Sequence, residues 1–262
     1  MLLSGKVAVI TGAATGMGQT GAGLFAREGA KIIIGDINDE DGEATAASIR
    51  QQGHEALFVH TDVVSVSAIE DLVRKAVEAY GRLDIYWHNA GFSLPGHIDK
   101  VEEADFDMQI AVILRAAVFG TKFAVREMRK AGGGCLLFTS SMVGLRPHLY
   151  NPSYPLPYML AKAGQVMLVR ALTEPLSKDN IRVNCICPGV VMTPRSLARQ
   201  ARVAEREGIT AEEWLKIRTG IMPLGRGVTM DEIAEAALFL VSDRAANITG
   251  VALPIDGGYT AV

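Results

Sequence analysis

The stretch Lys6–Asp36 reads KVAVIT, GAATGMG, QTGAGLFAREGA and KIIIGD in succession, and the fold follows from it. An apolar run, Lys6–Thr11, stops at Gly12. A turn carries Gly12, Gly16 and Gly18; an Ala- and Gly-rich amphipathic segment follows; a second apolar run, Ile32–Ile34, ends at Asp36. The order is strand, glycine turn, helix, strand, acid. Glycine lets a backbone turn tightly and come close to a ligand. The helix that opens there aims unpaired N–H groups and its positive end at the turn, which suits a pyrophosphate. An acid at the tip of the second strand accepts hydrogen bonds from the ribose hydroxyls of an adenosine and repels a 2′-phosphate. The stretch therefore predicts a dinucleotide site with a preference for NAD over NADP. The glycine spacing departs from the commoner G-x-G-x-x-G, so the weight rests on context: strand before, helix after, acid at the end of the next strand.

The remaining chain continues the alternation. Apolar, β-branched runs fall at Val7–Ile10, Ile32–Ile34, Ala56–His60, Leu83–Trp87, Gly134–Thr139, Ile181–Ile186 and Ala252–Ile255. Segments of helical period fall at Met17–Glu28, Glu40–Gln52, Ser67–Tyr80, Glu102–Arg129, Pro157–Leu176 and Asp231–Ser242. Strands apolar throughout and separated by helices predict an α/β fold, a single doubly wound Rossmann-type domain over residues 1–262 with a parallel sheet of about seven strands and helices on both faces. In such sheets ligands sit beyond the carboxyl ends of the strands. Those ends carry Asp62-Val63, placed to accept from an adenine amino group, then Asn89-Ala90-Gly91, Ser140-Ser141 and Pro188-Gly189.

Composition bounds the function. The 262 residues are 49% hydrophobic and 21% charged with a formal charge of −3, which suits one large core. No basic cluster points to nucleic acid. The N-terminus has no signal-peptide pattern, and no run approaches the ~18 apolar residues of a membrane span, so the expectation is a cytoplasmic protein with no membrane partner. Cys135, Cys185 and Cys187 are an odd number and read as reduced core thiols. The five histidines show no metal-ligand spacing, so no metal is expected.

Tyr158 and Lys162 lie four apart at the start of a predicted helix and so share a face. A free phenol, with a pKa near ~10, accepts protons poorly at neutral pH. A neighbouring cation favours the phenolate, which then takes the proton from an alcohol while hydride leaves its carbon, or gives it back to a carbonyl in reverse. Ser141 is placed to hold the substrate oxygen.

With these residues the chain resembles the short-chain dehydrogenase/reductase family over essentially its whole length. The matching stretches are Thr11-Gly12-x3-Gly16-Met17-Gly18, Asp62-Val63, Asn89-Ala90-Gly91, Ser141, Tyr158-x3-Lys162, Arg182-Val183-Asn184, Pro188-Gly189-x3-Thr193 and Asp256-Gly257-Gly258. The resemblance implies an NAD-dependent enzyme interconverting a secondary alcohol and a ketone. Tyr158 would be the acid/base, Lys162 would lower its pKa and bind ribose, and Ser141 would polarise the substrate. It implies cofactor contacts from Gly12, Thr15, Gly16, Met17, Gly18, Asp36, Ile37, Asp62, Val63, Asn89, Ala90, Gly91, Tyr158, Lys162, Pro188, Gly189, Val191 and Thr193. It also implies a homotetramer paired through the helices at Glu102–Arg129 and Pro157–Leu176.

Two features depart from the family pattern. An Asn that supports a proton-relaying water is replaced by Ile113, and no Asn lies between Asn89 and Asn151 to take its place. Ile113 is the one feature favouring another class of function, a nicotinamide-binding sensor or scaffold with weak catalysis. The segment Leu145–Pro157, with four prolines, His148, Leu149, Tyr150 and Tyr154, either walls the substrate pocket or forms a surface or subunit contact. Residues 195–224 form a lid over the substrate, by the resemblance. A lid lined by Leu197, Trp214 and Met222 would favour an apolar or ring-bearing substrate. Arg195, Arg199 and Arg202 read as a solvated helix face more than as a clamp for a carboxylate or phosphate.

Overall fold

The computed structural model describes residues 1–94, 96–147 and 155–262. Most of the Leu145–Pro157 segment, including His148, Leu149, Tyr150 and Tyr154, lies outside the described residues.

Seven parallel strands form one sheet in the order β3-β2-β1-β4-β5-β6-β7. They are β1 (Val7–Thr11), β2 (Lys31–Asp36), β3 (Ala56–His60), β4 (Ile85–His88), β5 (Gly134–Thr139), β6 (Ile181–Pro188) and β7 (Ala252–Ile255). Each expected run becomes a strand, shifted at its ends by no more than two residues. The central strands are buried on both faces because helices cover both, and their residues divide by alternation. Ala8, Ile10, Ile32, Ile34, Ile85 and Trp87 join a core closed by helices α1 (Gly16–Arg27), α2 (Asp39–Gln51) and α10 (Met230–Val241). Val7, Val9, Ile33, Tyr86, Leu136 and Phe138 join the opposite core, closed by α3 (Val66–Tyr80), α5 (Ala116–Ala131) and α7 (Leu156–Ser177). Cys185 and Cys187 share a face and lie in this second core as buried free thiols.

The chain leaves β1 toward β2 on one side and returns to β4 on the other. The topological switch therefore falls between Thr11 and His88, at the carboxyl ends where a crevice opens. One helix entry here matters for function. Asn38, Ser65 and Thr193 each cap a helix through the side chain, but Thr15 in front of α1 makes no such bond, and no acid lies in the first turn of α1. The N–H groups at that one entry stay available to an anion.

The expected helix Glu102–Arg129 is not uniform. It consists of α4 (Glu103–Gln109), a π-helical stretch Ile110–Arg115, and α5. Length and mean hydropathy alone would admit Glu103–Ala131 as a membrane span, against the sequence expectation that none exists; in the fold just over half of its most apolar window is buried against the protein. The segment after β6, expected as a lid with charged helical stretches, forms α8 (Pro194–Glu207) and α9 (Ala211–Gly220), and a short α6 (Met142–Leu145) follows β5.

Candidate active site

The glycine turn is held by contacts that no larger residue would permit. A Cβ on Gly12 would stand 2.7 Å from the Ala90 Cα, and Gly12 has φ +64°. A Cβ on Gly18 would stand 2.4 Å from the Gly12 carbonyl oxygen. The Asn89 amide donates to that carbonyl at 2.9 Å, and its oxygen accepts from the Thr139 hydroxyl at 3.1 Å. Asn89 therefore ties the ends of β1 and β5 together across β4. Asp36 accepts from the backbone N–H of Ala14 at 3.0 Å and of Asn38 at 3.1 Å, so its carboxylate is fixed at the tip of β2.

Around this turn runs a cleft of about 900 Å³, lined by Gly12, Thr15, Gly16, Met17, Asp36, Ile37, Asp62, Val63, Asn89, Ala90, Gly91 and Thr193 among others. The glycine cradle, the uncapped helix entry and the fixed acid fit the pyrophosphate and adenosine ribose of a nicotinamide dinucleotide. Asp62 accepts from the Val64 N–H at 2.9 Å and lines the cleft beside Val63. Gly18 supports the turn from behind and does not line the cleft.

Beyond Asn89 and Gly91 lies a second cavity, of about 370 Å³, into which Ser141, Tyr158 and Lys162 all face, with Pro188, Gly189, Val191 and Thr193 along one wall. Ser140 and Ser141 part company here. The Ser140 hydroxyl donates to the Lys162 carbonyl at 2.8 Å and fastens α7 to β5. Ser141 caps α6 through the Val143 N–H and hydrogen-bonds the Tyr158 phenol.

The electrostatics revise one expectation. Lys162 was expected to lower the pKa of Tyr158. Its ammonium does lie 5.5 Å from the centre of the Tyr158 ring, but burial dominates both groups. Desolvation raises the Tyr158 phenol above its ordinary value, opposed by the Ser141 hydrogen bond and then by the Arg199 charge. Desolvation pushes Lys162 down to about 7. Its Nζ donates to the Thr139 carbonyl.

The Ile113 position explains itself in three dimensions. A π turn is wider than an α turn and frees carbonyls that the regular ladder would consume; such turns recur at functional sites. The freed Ile113 carbonyl accepts from the Gln165 amide at 3.0 Å, and the Gln165 oxygen stands 3.4 Å from the Lys162 Nζ. Gln165 is fully buried. The side chain thus bridges lysine and π turn, at the place where the family pattern has an Asn-supported water. The neighbouring Val112 carbonyl meets the His88 Nε2 at 3.1 Å, and the His88 Nδ1 lies 3.2 Å from the Thr11 hydroxyl. A carbonyl can only accept, so the proton sits on Nε2; burial first and Lys162 second lower the His88 pKa to about 3, leaving it neutral. Sequence reasoning missed both residues. For Gln165 a signal existed: it lies three residues after Lys162 and thus on the same helix face. Replacing it should act on rate. Gln165→Leu leaves the Ile113 carbonyl buried without this donor and costs Lys162 a partner. Felt at the transition state, a loss on the order of 1–3 kcal/mol for such groups corresponds to a roughly five- to 150-fold fall in kcat. The check is steady-state kinetics beside cofactor titration, and an equal loss of cofactor affinity would reduce Gln165 to a packing role.

The substrate side corrects another expectation. Leu197 is 40% exposed and lies off the cavity, and Met222, 1% exposed, packs with Met142, Val190 and Tyr259. Trp214 lines an adjoining cavity. The cavity of Ser141, Tyr158 and Lys162 is lined on its substrate side by Phe92, Met142, Val143 and Pro155, together with Arg195, Arg199 and Arg202 from α8 and Arg218 from α9.

A parallel sheet with a dinucleotide cleft at its switch point, opening onto a Ser, Tyr and Lys cavity, defines a nicotinamide-dependent oxidoreductase. The chain belongs to the short-chain dehydrogenase/reductase family. Residues 12–260 match a family model described as enoyl-(acyl carrier protein) reductase. The sequence is 40% identical to an uncharacterized oxidoreductase of Thermotoga maritima, with 100% of each chain covered. It is 37% identical to a 2,5-dichloro-2,5-cyclohexadiene-1,4-diol dehydrogenase of Sphingobium indicum, over 98% of this chain and 97% of that one. The fold superposes on the crystal structure of L-sorbose reductase from Gluconobacter frateurii, complexed with NADPH and L-sorbose. That match has a TM-score of 0.93 and 30% identity, and covers 100% of both chains.

Proposed function

We propose that the protein is an NAD-dependent oxidoreductase that interconverts a secondary alcohol and a ketone, with Tyr158 as acid/base, Ser141 holding the substrate oxygen and Lys162 binding the nicotinamide ribose. The observation that carries this reading is the convergence of Ser141, Tyr158 and Lys162 on one cavity continuous with the glycine-cradled cleft. The nicotinamide, when bound, accepts or supplies the hydride. Tyr158 moves the proton at the alcohol oxygen, and Ser141, already bonded to the phenol, is within reach of the same oxygen. The relatives act on a cyclic diol and on a sugar, which supports a small alcohol or ketone, ring-bearing in the first case. Gln165 weighs against a sensor or scaffold, because that alternative rested on Ile113 alone. Exposed Leu160 and Met167 on α7 and Val118 on α5 favour pairing through these helices into a homotetramer. The test follows nicotinamide absorbance while protein and NAD meet a panel of aliphatic, cyclic and aryl secondary alcohols. Binding of NAD with no turnover of any alcohol or matching ketone would sink the proposal.

The choice of NAD rests on Asp36, since the sorbose reductase neighbour holds NADPH. A 2′-phosphate near the fixed carboxylate meets a repulsion between about 1 kcal/mol in water and about 4 kcal/mol at an effective dielectric of 20, taking the charges 4 Å apart. NAD should therefore bind roughly five- to several-hundred-fold more tightly than NADP. Asp36→Asn keeps an acceptor for the Ala14 N–H and should shrink that gap. Calorimetric titration decides it, and equal or tighter binding of NADP by the unaltered protein would overturn the assignment.

A further inference from the structure

His88 is a buried titratable side chain to which the proposed chemistry gives no task. It ends β4, is fully enclosed, and has a partner at each ring nitrogen. Its Nε2 meets the Val112 carbonyl of the π turn at 3.1 Å, and its Nδ1 lies 3.2 Å from the Thr11 hydroxyl at the end of β1. The direction of each bond is forced. A carbonyl only accepts, so Nε2 carries the hydrogen, and the bare Nδ1 of the neutral ring accepts from the Thr11 hydroxyl. With its hydrogen committed to His88, the Thr11 oxygen turns its lone pairs to the backbone N–H groups of Asn89 at 3.1 Å and Ala90 at 3.2 Å.

The two ends of this chain of bonds lie in the two halves of the site. At one end, Asn89, Ala90 and Gly91 form the turn that lines the dinucleotide cleft. At the other, the π turn carries Val112 and then Ile113, whose carbonyl accepts from Gln165, the partner of Lys162. Val112, Ile113 and Ala161 also form a small core against which Tyr158 packs. A π turn leaves carbonyls without partners in its own ladder, so its shape depends on groups outside it. Here His88 from β4 holds one carbonyl and Gln165 from α7 holds the next. The two halves also meet directly: a Cβ on Gly91 would stand 3.4 Å from the Ile113 Cγ1 and 3.4 Å from the Lys162 Nζ.

We propose that His88 is a positioning residue that holds the dinucleotide turn and the π turn in one fixed relation, so that the cofactor, Tyr158 and Lys162 meet in register. This rests on the alcohol/ketone reading above for what that register serves. His88 lines neither the cleft nor the cavity of Tyr158, so it acts through Thr11 and Val112 and touches no reacting group. The position suits a neutral imidazole because Thr11 needs an acceptor and Val112 needs a donor, and one rigid ring presents both.

Two amide side chains divide the tasks of the ring. Asn sets its oxygen near the position of Nδ1, so His88→Asn keeps the acceptor for Thr11 and loses the donor to Val112. Gln sets its amide nitrogen near the position of Nε2, so His88→Gln keeps the donor and loses the acceptor. Each variant is measured for NAD affinity by calorimetry, for backbone amide exchange over residues 110–116 by mass spectrometry, and for kcat at saturating NAD with the secondary alcohol the parent oxidises fastest. The expected result is a crossed pattern. His88→Gln should weaken NAD binding by at least about fivefold more than His88→Asn does, the low end for a buried group that loses its partner. His88→Asn should exchange faster across the π turn and lose at least about fivefold more kcat than His88→Gln. If neither variant folds, Thr11→Val and Gln165→Leu replace them, with the larger loss of NAD affinity expected in the first and the faster exchange in the second. The same ranking of the paired variants in every readout, or losses that only follow the melting temperature, overturns the proposal and leaves His88 a packing residue. Affinity and exchange need no turnover. A crossed pattern there with no alcohol oxidised sinks the catalytic reading and leaves the positioning role standing; turnover without the crossed pattern does the reverse.

Discussion

Tyr158→Phe should abolish turnover while the protein still folds and still takes up its cofactor. The phenylalanine keeps the ring that packs between α7 and the cavity and removes only the hydroxyl bonded to Ser141. General acid–base groups contribute about 10²–10⁴-fold to rate, so kcat should fall by at least about two orders of magnitude in both directions. Turnover by the variant within a factor of ten of the parent would remove Tyr158 from the chemistry. The pH dependence has a definite sign. Burial holds the phenol protonated above its ordinary pKa, with Ser141 and Arg199 pulling it back. Reduction needs a proton donor and is favoured below the phenol pKa; oxidation needs a proton acceptor and should rise with pH as the phenol ionises. Arg199→Gln removes a charge that favours the phenolate, so the rising limb of oxidation should move to higher pH. A limb that moves down instead would mean that Arg199 does not act on Tyr158.

How far this site is legible in the chain depends on the range of the interaction. The β1–α1–β2 unit is written locally: glycines at a turn, apolar alternation and an acid at a strand tip occupy one continuous stretch, and the structure places Gly12, Gly16 and Asp36 around one cleft. The parallel sheet is legible because burial on both faces makes each strand apolar throughout. Interactions joining distant segments leave no local mark. Ile113 looks like a defect beside a family pattern, because the compensating Gln165 arrives from another helix and bonds to a backbone carbonyl, which has no residue type. The π turn that frees this carbonyl is invisible in a segment whose apolar residues fit an ordinary helix. Arg195, Arg199 and Arg202 of α8 are plain in the sequence, yet whether they border a cavity is decided by how α8 packs. Leu197 and Met222 fail as lid residues for the same reason: one turns outward, and the other is taken by the core formed with Met142, Val190 and Tyr259.

The same substitution made at two glycines of α1, five residues apart, should have opposite effects. At Gly23 a new Cβ would meet only the Arg27 guanidinium, at 3.6 Å, a flexible group at ordinary contact distance. Gly23→Ala therefore gains helix propensity at no steric cost and should stabilise the protein by up to about 1 kcal/mol. At Gly18 the new Cβ would lie 2.4 Å from the Gly12 oxygen, 2.7 Å from the Asn89 amide nitrogen and 2.9 Å from the Ala13 Cα. Two of those three are backbone atoms of the dinucleotide turn, and the third belongs to the side chain that ties the turn to β4 and β5. None can move without opening the turn. The propensity gain of about 1 kcal/mol is outweighed by overpacking, which costs typically about 1–3 kcal/mol and more where the obstacle is backbone. For a chain of this size each kcal/mol lowers the melting temperature by about 2–4 °C, so Gly18→Ala should melt several degrees below the parent, and Gly23→Ala slightly above it. Cofactor binding should separate the two further. The displaced Gly12 backbone lines the dinucleotide cleft, so Gly18→Ala should lose most of its affinity for the dinucleotide even at temperatures where it remains folded. Matching melting curves and matching cofactor affinities for the two variants would mean that the turn yields to a methyl group, and the close approach of α1 to Gly12 would then carry no functional weight.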